Sequence, residues 1–235
     1  MRAAESSPSR PSVERIGHRG APREFPENTL PSFQRAFELG ADGVELDVHL
    51  TVDGTPVVHH DPEVTIQVRP RRIIRPIATM SWKELSGVEI SPGITIPTLE
   101  QVLELARDRG TVYVELKGSG VEARSLDVIR AAHARCAVHS FDHQAVKRAT
   151  RRAPEIPRGL LFDSYPRDVV REMHDASARD VWPQWQLIDK RLVDQVHAAG
   201  GRVIAWTVNT TDDAEQLVRL DVDGLCGDDI TQFPQ

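Results

Sequence analysis

The chain has 235 residues, of which 40% are hydrophobic and 27% are charged. This composition predicts one water-soluble globular unit. It excludes a disordered or collagen-like chain, because the 15 glycines and 16 prolines are close to ordinary usage. The 29 basic and 35 acidic residues leave a net charge of −6, which provides no overall attraction for nucleic acid.

The N-terminus and the cysteines indicate the compartment. Residues 1–12 are rich in Ser, Pro, Arg and Ala and lack the apolar run of a secretory signal, so we expect a flexible tail. The sequence has no run close to the roughly 20 apolar residues that cross a bilayer. Cys136 and Cys226 are far apart and form no C-x-x-C motif, which is typical of a reducing compartment. We therefore predict a cytoplasmic protein without a transmembrane segment.

Short β-branched runs alternate with amphipathic segments along most of the chain. Strands are predicted at residues 15–18 and 43–49 with a helix at 29–39 between them, and an arm at 56–60 returns from the second strand. Residues 61–96 hold several prolines and no sustained period, which indicates an insertion. The alternation resumes with helices at 98–108, 121–134, 142–151, 166–174, 189–199 and 211–220, and with strands at 111–116, 137–140, 158–162, 180–183, 202–208 and 223–227.

Eight strands result, and seven of them are followed by a helix. Such units require parallel strands with right-handed crossovers, so the pattern predicts an α/β protein with the (β/α)8 TIM-barrel fold. The barrel would form one domain over residues 13–235, with the insertion at 61–96 after the second strand. An open doubly wound sheet is disfavoured because no G-x-G-x-x-G motif follows the first strand. In a barrel, the chemistry belongs at the carboxyl ends of the strands.

Acidic side chains lie on neighbouring predicted strands. Glu45 and Asp47 share one face of the second strand, and Glu115 shares a face of the third with Lys117. Adjacent carboxylates inside a barrel repel each other and lose hydration unless a cation satisfies them. Hard oxygen ligands favour Mg²⁺ or Ca²⁺, so we predict one divalent ion here. The alternative is that basic side chains from the barrel interior pair with these acids.

Histidines occur at two predicted strand ends. His18 and Arg19 end the first strand, and the arm ends in His59, His60 and Asp61. An imidazole titrates near neutrality, and a guanidinium suits phosphate. The alternation of inward and outward side chains along the arm does not decide which of the two adjacent histidines points inward. Asp61 either orients an imidazole or caps a turn. Together with a divalent ion, two imidazoles can act as base and acid at a phosphate.

Several motifs follow one another in a characteristic order. They are IGHRG at 16–20, PENT at 26–29, GADGVELDV at 40–48, TVDG at 51–54, VVHHD at 57–61, IPTLE at 96–100, ELK at 115–117, WTVN at 206–209 and DG at 223–224. In this order the chain resembles the glycerophosphodiester phosphodiesterase family, over nearly its whole length. The family's fold is a (β/α)8 barrel, which agrees with the strand count.

The resemblance implies a metal-dependent hydrolysis of a small glycerophosphodiester to glycerol 3-phosphate and an alcohol. It implies that His18 and His60 are the catalytic acid–base pair and that Glu45, Asp47 and Glu115 bind the metal. It assigns substrate binding to Arg19 and Lys117 on the phosphate, to Glu27 near the site, and to Trp206 as an apolar wall. The last strand ends in Asp228 and Asp229, where the family usually has a Thr-Asp pair, so the role of that strand stays open.

Two other kinds of function compete with this interpretation. A lysophospholipase D or sphingomyelinase D-like barrel, or a phosphatidylinositol-type phospholipase C, would act on lipids, but the low aromatic content of 5% argues against a long apolar entrance. A non-catalytic phosphodiester-binding barrel would need no proton donor, yet both histidines and all three acids are present.

The remaining basic and aromatic residues receive structural roles. We expect the arginines of the insertion, which are named below, to lie in a solvated loop. The alternative is that they steer anionic phosphodiesters to the site or contact lipid headgroups. His49 either lines the pocket or is a hydrogen-bonded barrel residue. The arginines concerned are Arg69, Arg71, Arg72 and Arg75, and the residues treated as structural are His133, His139, His143, His174, His197, Trp82, Trp182 and Trp185.

Overall fold

The computed structural model of the protein describes residues 13–68 and 71–234. Eight parallel strands of this described part close into a barrel, in which each strand pairs with the next and the last pairs with the first. The (β/α)8 prediction is therefore confirmed. The barrel strands are β1 (Glu14–His18), β2 (Gly43–Leu50), β8 (Thr111–Leu116), β9 (Cys136–Ser140), β10 (Arg158–Phe162), β11 (Asp180–Pro183), β12 (Arg202–Ala205) and β13 (Gly224–Gly227).

Helices connect the strands on the outside of the barrel. They are α1 (Leu30–Glu38), α3 (Leu99–Ala106), α4 (Val121–Ala132), α5 (His143–Arg152), α6 (Val169–Ala176), α7 (Lys190–Ala198) and α8 (Thr211–Leu220). The sequence predicts most of the helix ends to within about two residues of where the structure has them. Helix α6 begins three residues later than predicted, because the Asp168 side chain accepts a hydrogen bond from the backbone N–H of Arg171 at 3.1 Å and caps the helix there.

Side chains inside the barrel form layers along the strands. Alternate residues of β2, such as Val44 and Leu46, face outward and pack against the helices. An apolar layer fills the interior and consists of Ile16, Tyr113, Ala137, Leu161, Trp182, Ile204 and Cys226. Two residues further along most of these strands, towards their carboxyl ends, the side chains become polar or aromatic. The apolar layer therefore forms the floor of the candidate site.

A polar network closes the opposite end of the barrel. The Tyr113 hydroxyl donates a hydrogen bond to Oε1 of Glu14 at 2.7 Å, and Arg202 pairs with Glu14. Arg202 also lies 3.7 Å from Oδ1 of Asp180, which is fully buried and bound by Arg179. These contacts join β1, β8, β11 and β12 across the barrel.

The insertion packs around a small core of its own. After the short strand β3 (Pro56–Val58), it contains the hairpin β4 (Glu63–Val68) and β5 (Arg71–Pro76), the helical turn α2 (Trp82–Leu85), and the hairpin β6 (Glu89–Ser91) and β7 (Ile94–Thr95). Its elements are too short to show a sustained period in the sequence. The buried residues of this core are Val57, Val64, Ile77, Met80, Leu85, Val88 and Ile96.

The remaining predictions on organisation concern the tail, the cysteines and the membrane. Residues 1–12, for which we expect a flexible tail, and Arg69 lie outside the described residues. Cys136 and Cys226 are free thiols, as the lack of a disulfide framework in the sequence predicts. Among the helices that the structure describes, none combines the length and the apolar character that crossing a membrane requires.

Candidate active site

A cavity of about 160 Å³ opens at the carboxyl ends of the barrel strands. One side of its lining is polar and charged, and comes mainly from β1, β2, β8 and β9. The other side is apolar and comes from the remaining barrel strands and from Phe141, which follows β9. The lining residues are His18, Arg19, Glu45, His60, Glu115, Lys117, His139, Phe141, Leu161, Trp182, Trp206 and Cys226.

A tight turn after β1 presents His18 and Arg19. Two glycines permit it: a Cβ on Gly17 would lie 2.5 Å from the carbonyl oxygen of Gly20, and one on Gly20 would lie 2.3 Å from Oγ of Ser32. Gly20 also has a φ of 95°, in the region that favours glycine. Ser32 donates a hydrogen bond to the carbonyl of Arg19 at 3.0 Å. The two glycines of the GHRG motif are therefore required for the tight turn, and its His18 and Arg19 supply the side chains that the turn presents.

A carboxylate beyond the last barrel strand holds His18. Nδ1 of His18 lies 2.7 Å from Oδ1 of Asp228, and Asn209 donates to Oδ2 of Asp228 at 2.9 Å. Burial lowers the pKa of His18, but the hydrogen bond to Asp228 and the charge of Glu45 outweigh it, so that the pKa is raised overall. Because Nδ1 is engaged, Nε2 is the ring nitrogen left for a substrate.

Strand register brings acidic and imidazole groups to one level of the barrel. Glu45 is opposite His18 across β1 and β2, and Glu115 is opposite both Asp47 and His139 on its two neighbouring strands. The ligand atoms of Glu45, Glu115 and His139 lie within 4.8 Å of one another, and all three residues are buried. Nε2 of His139 is 3.7 Å from Oε1 of Glu45.

Asp47 has basic partners beside this group. It is fully buried, and it accepts a hydrogen bond from Nδ2 of Asn28 at 2.8 Å. Nε of Arg19 and Nζ of Lys117 each lie 3.2 Å from one of its oxygens, and Lys117 is also 2.9 Å from Oε1 of Glu115. Burial raises the pKa of Asp47, but the charges of Lys117 and Arg19 lower it overall. The pairing with basic side chains that the sequence left as an alternative thus occurs at Asp47.

The donor set fits a divalent cation. Burial, followed by the charge of Asp47, raises the pKa of Glu115 to about 8, because the cationic side chains nearby do not balance the carboxylates. Within the described residues, Nδ1 of His139 is a buried atom that forms no hydrogen bond, and Oδ1 of Asp47 has Lys117 as its partner. An excess of carboxylate charge in a buried site is the condition under which a hard cation binds.

The geometry distinguishes the two adjacent histidines. His60 lines the cavity, whereas His59 lines a separate groove of about 710 Å³ between the insertion hairpins. Nδ1 of His60 lies 2.9 Å from Oδ1 of Asp61, and Nε2 of His49 lies 3.0 Å from the carbonyl oxygen of His60. Burial lowers the pKa of His49, which favours its neutral form. His49 is therefore the hydrogen-bonded residue of the two alternatives, and it holds the backbone at His60.

Aromatic rings form the apolar side of the cavity. Trp206 meets Phe141 edge-to-face with ring centroids 5.5 Å apart, and its Nε1 donates to the carbonyl of Trp182 at 2.9 Å. Trp182, predicted as a packing residue, packs against the His139 ring at 4.5 Å and also lines the cavity. This side of the cavity suits an uncharged part of a ligand.

The structure brings most of the predicted site residues together. Those that line the cavity are His18, Arg19, Glu45, His60, Glu115, Lys117 and Trp206. Asp47 contacts two of them from its buried position. Glu27 lies further out, where its Oε1 is 2.9 Å from Arg19 and its side chain is 48% exposed. Its contact with the cavity lining is therefore through Arg19.

Comparison with known proteins decides the family. The model of the glycerophosphoryl diester phosphodiesterase family matches residues 18–232, which is most of the chain. The chain belongs to this family. A glycerophosphodiester phosphodiesterase from Caldanaerobacter subterraneus subsp. tengcongensis is 34% identical over 229 residues, covering 91% of this chain and 93% of the relative. The predicted family and enzyme class, a phosphoric diester hydrolase, are thereby confirmed.

Solved structures of the family share the architecture. A phosphodiesterase from Oleispira antarctica, in complex with the product sn-glycerol-3-phosphate, aligns with a TM-score of 0.84 at 27% identity and covers 92% of both chains. A glycerophosphodiester phosphodiesterase from Thermotoga maritima aligns with a TM-score of 0.76 at 26% identity, covering 93% of this chain and 96% of the other.

Three residues that the sequence interpretation missed belong to this phosphodiesterase site. His139 was assigned a structural role, which is wrong because it lines the cavity beside Glu45 and Glu115. Asp228 answers the open question about the last strand, since it binds His18. Asn28, noted in the sequence only as part of the PENT motif, donates a hydrogen bond to Asp47. The sequence already places Asp228 after β13 and His139 on the inward face of β9. Which side chains they contact depends on the closure of the barrel.

Proposed function

We propose that this protein hydrolyses a small glycerophosphodiester to glycerol 3-phosphate and an alcohol, in a metal-dependent reaction with two histidines as acid and base. The observation that carries the proposal is the shared cavity, in which His18 and His60 face a group of buried carboxylates. The product complex of the Oleispira antarctica relative supports the same class of substrate.

Glu45, Asp47 and Glu115 would hold the ion, and the His139 imidazole lies within the same group. Carboxylate oxygens favour Mg²⁺ or Ca²⁺. When bound, the ion supplies positive charge that stabilises the negative charge on the reacting phosphate. Arg19 and Lys117 line the same cavity and would bind the remaining phosphate oxygens.

The two imidazoles would move the protons. One removes the proton from the 2-hydroxyl of the glycerol, whose oxygen then attacks phosphorus, and the other protonates the oxygen of the leaving alcohol. The product of this step is a cyclic phosphate. Water then opens the ring while the two imidazoles exchange roles, which leaves glycerol 3-phosphate. Trp206 would contact the apolar surface of the glycerol or the alcohol.

Substitution of the histidines tests the acid–base assignment. We expect His18→Ala and His60→Ala to lower kcat by at least about 100-fold, because each removes a proton-transfer group. Far-ultraviolet circular dichroism should show an unchanged fold. His174→Ala, an exposed histidine on α6, is the matched control and should keep its activity. Near-normal turnover by either cavity variant would refute the assignment.

A substrate panel tests the reaction and its metal. Release of glycerol 3-phosphate is measured from glycerophosphocholine, glycerophosphoethanolamine and a lysophospholipid, after chelation by EDTA and after addition of Mg²⁺ or Ca²⁺. We expect turnover of the two soluble diesters only when metal is present. Activity that survives complete chelation would contradict the metal assignment, and exclusive turnover of the lysophospholipid would favour the lipid-directed alternative.

A further inference from the structure

The large hydrophobic side chains that are exposed in the described residues share one face of the molecule. Phe25 follows β1, Val52 follows β2, Phe141 follows β9 and Tyr165 follows β10, and two isoleucines lie in the insertion. All of these segments lie beyond the carboxyl ends of barrel strands, where the cavity opens. Single exposed apolar residues are ordinary, but their confinement to the face that carries the site requires an explanation.

The hairpin β4–β5 brings exposed apolar and basic side chains together on this face. Ile73 and Ile74 are 41% and 65% exposed, and the register places Ile73 opposite Ile66. Arg71 and Arg72 are exposed and form no ion pair with any residue that the structure describes. No acidic residue occurs between residues 64 and 76. The hairpin is therefore a local positive patch on a chain whose net charge is −6.

The base of the hairpin lies beside the candidate active site. Its first strand begins three residues after His60, and the backbone N–H of Ile77 donates to the carbonyl of Pro62 at 2.9 Å, which closes the base. Asp61, the partner of His60, lies at this junction. A surface that contacts strand β5 of the hairpin would therefore lie on the side of the molecule where the cavity opens.

We propose that the hairpin docks on an anionic lipid surface along its strand β5, with Ile73 and Ile74, which point to opposite faces of the hairpin, at the headgroup boundary and Arg71 and Arg72 on lipid phosphates. Isoleucine side chains gain by leaving water, and arginine keeps its charge at the headgroups while its stem covers apolar surface. Basic side chains near an anionic leaflet are attracted even when the whole protein is acidic, because salt screens distant charges. Docking does not depend on the proposed reaction.

Vesicle binding tests the proposal without any turnover. Full-length protein is sedimented with vesicles of phosphatidylcholine alone and of phosphatidylcholine mixed with phosphatidylglycerol. We expect binding to the mixed vesicles, and its loss at high salt. The double variant Arg71→Glu/Arg72→Glu should lower the partition coefficient by about tenfold or more. The double variant Ile73→Ser/Ile74→Ser should weaken binding as well.

A matched control separates local from overall charge. Arg151→Glu/Arg219→Glu changes the net charge equally, near the ends of α5 and α8 at the opposite face of the barrel, and should bind as the wild type does. Circular dichroism establishes that each variant is folded. Failure of the wild type to bind mixed vesicles would overturn the proposal. Equal losses in the hairpin variant and the control would overturn it too, and neither result affects the proposed phosphodiesterase reaction.

Discussion

At the scale of single residues, environment assigns different tasks to groups of the same type. His18 lies at the end of β1, bound to Asp228, and its pKa is raised. His49 is buried, its pKa is lowered, and it hydrogen-bonds the backbone of His60. The carboxyl groups differ in the same way. Burial raises the pKa of Asp47, but the charges of Lys117 and Arg19 lower it overall. Burial and the charge of Asp47 raise the pKa of Glu115 to about 8, despite its contact with Lys117.

Asp228 should tune the acid–base function of His18. Asp228→Asn removes the negative acceptor and therefore lowers the pKa of His18. We expect the limb of the pH profile of kcat/KM that reports this histidine to move to lower pH, and kcat/KM to fall by about tenfold or more. Asp212→Asn, an exposed carboxylate on α8, is the control. An unchanged profile would show that the contact is only structural.

Glu115 should make the metal-free protein sensitive to pH. Its pKa is about 8 in the fold against 4.5 ordinarily, so between these values the folded state binds more protons than the unfolded state. Stability therefore falls as pH rises through this window. Calorimetry without metal should show a smaller fall of Tm for Glu115→Gln than for the wild type. Added Mg²⁺ or Ca²⁺ should raise the wild-type Tm but not that of the variant; an equal metal response would remove Glu115 from the ligands.

At the scale of elements, local signals in the sequence determine where helices begin. Thr98 accepts a hydrogen bond from the backbone N–H of Gln101 at 3.2 Å, and the Gln101 side chain accepts from the N–H of Thr98 at 2.9 Å. This capping box starts α3 at the position where the sequence predicts a helix. Helix α3 packs against α1 and α4, so its first turn contributes to the outer layer of the barrel.

Loss of this cap should weaken the fold without affecting the chemistry. Thr98→Ala should cost about 1 kcal/mol of unfolding free energy, which corresponds to about 2–4 °C in Tm for a protein of this size. Thr98→Ser keeps the hydroxyl and should restore most of the loss. Thermal unfolding measures both, and kcat should stay unchanged because α3 does not line the cavity. A Tm for the alanine variant equal to that of the wild type would contradict the role of the cap.

At the scale of the whole molecule, the two ends of the barrel carry different sets of polar residues. The carboxyl end gathers the candidate catalytic groups, whereas the other end gathers Glu14, Tyr113, Asp180 and Arg202. Burial lowers the pKa of Arg202, but the charge of Asp180 outweighs it and the pKa is raised overall. This network joins strands that are distant in the chain and supports closure far from the cavity.

Arg202 should stabilise the barrel without affecting catalysis. Arg202→Met leaves Glu14 without a cation and Asp180 with Arg179 as its remaining cationic partner, and should cost about 3 kcal/mol, or about 6 °C or more in Tm. Arg219→Met removes an exposed arginine that pairs with Glu215 on the surface of α8 and should change stability by less than about 0.5 kcal/mol. Equal effects of the two substitutions on Tm would contradict the role of the network. Folded Arg202→Met protein should keep its kcat/KM.

The sequence by itself determined the alternation of strands and helices, the insertion and most of the site. Period-two patterns and helix caps are local, so they identify β2, β8 and α3 from the chain alone. Resemblance to a family then distinguished His60 from His59, which periodicity could not do. The family and the barrel are confirmed, while the roles of individual site residues and the cytoplasmic location stay predictions.

Only the tertiary structure decided which groups meet. His139 pairs in register with Glu115, and Asp228 reaches His18 across the seam between the last strand and the first. The packing of the insertion and the confinement of exposed apolar side chains to one face likewise appear only in the fold. These contacts join residues far apart in the chain, and their geometry depends on barrel closure and strand register, which no local pattern encodes.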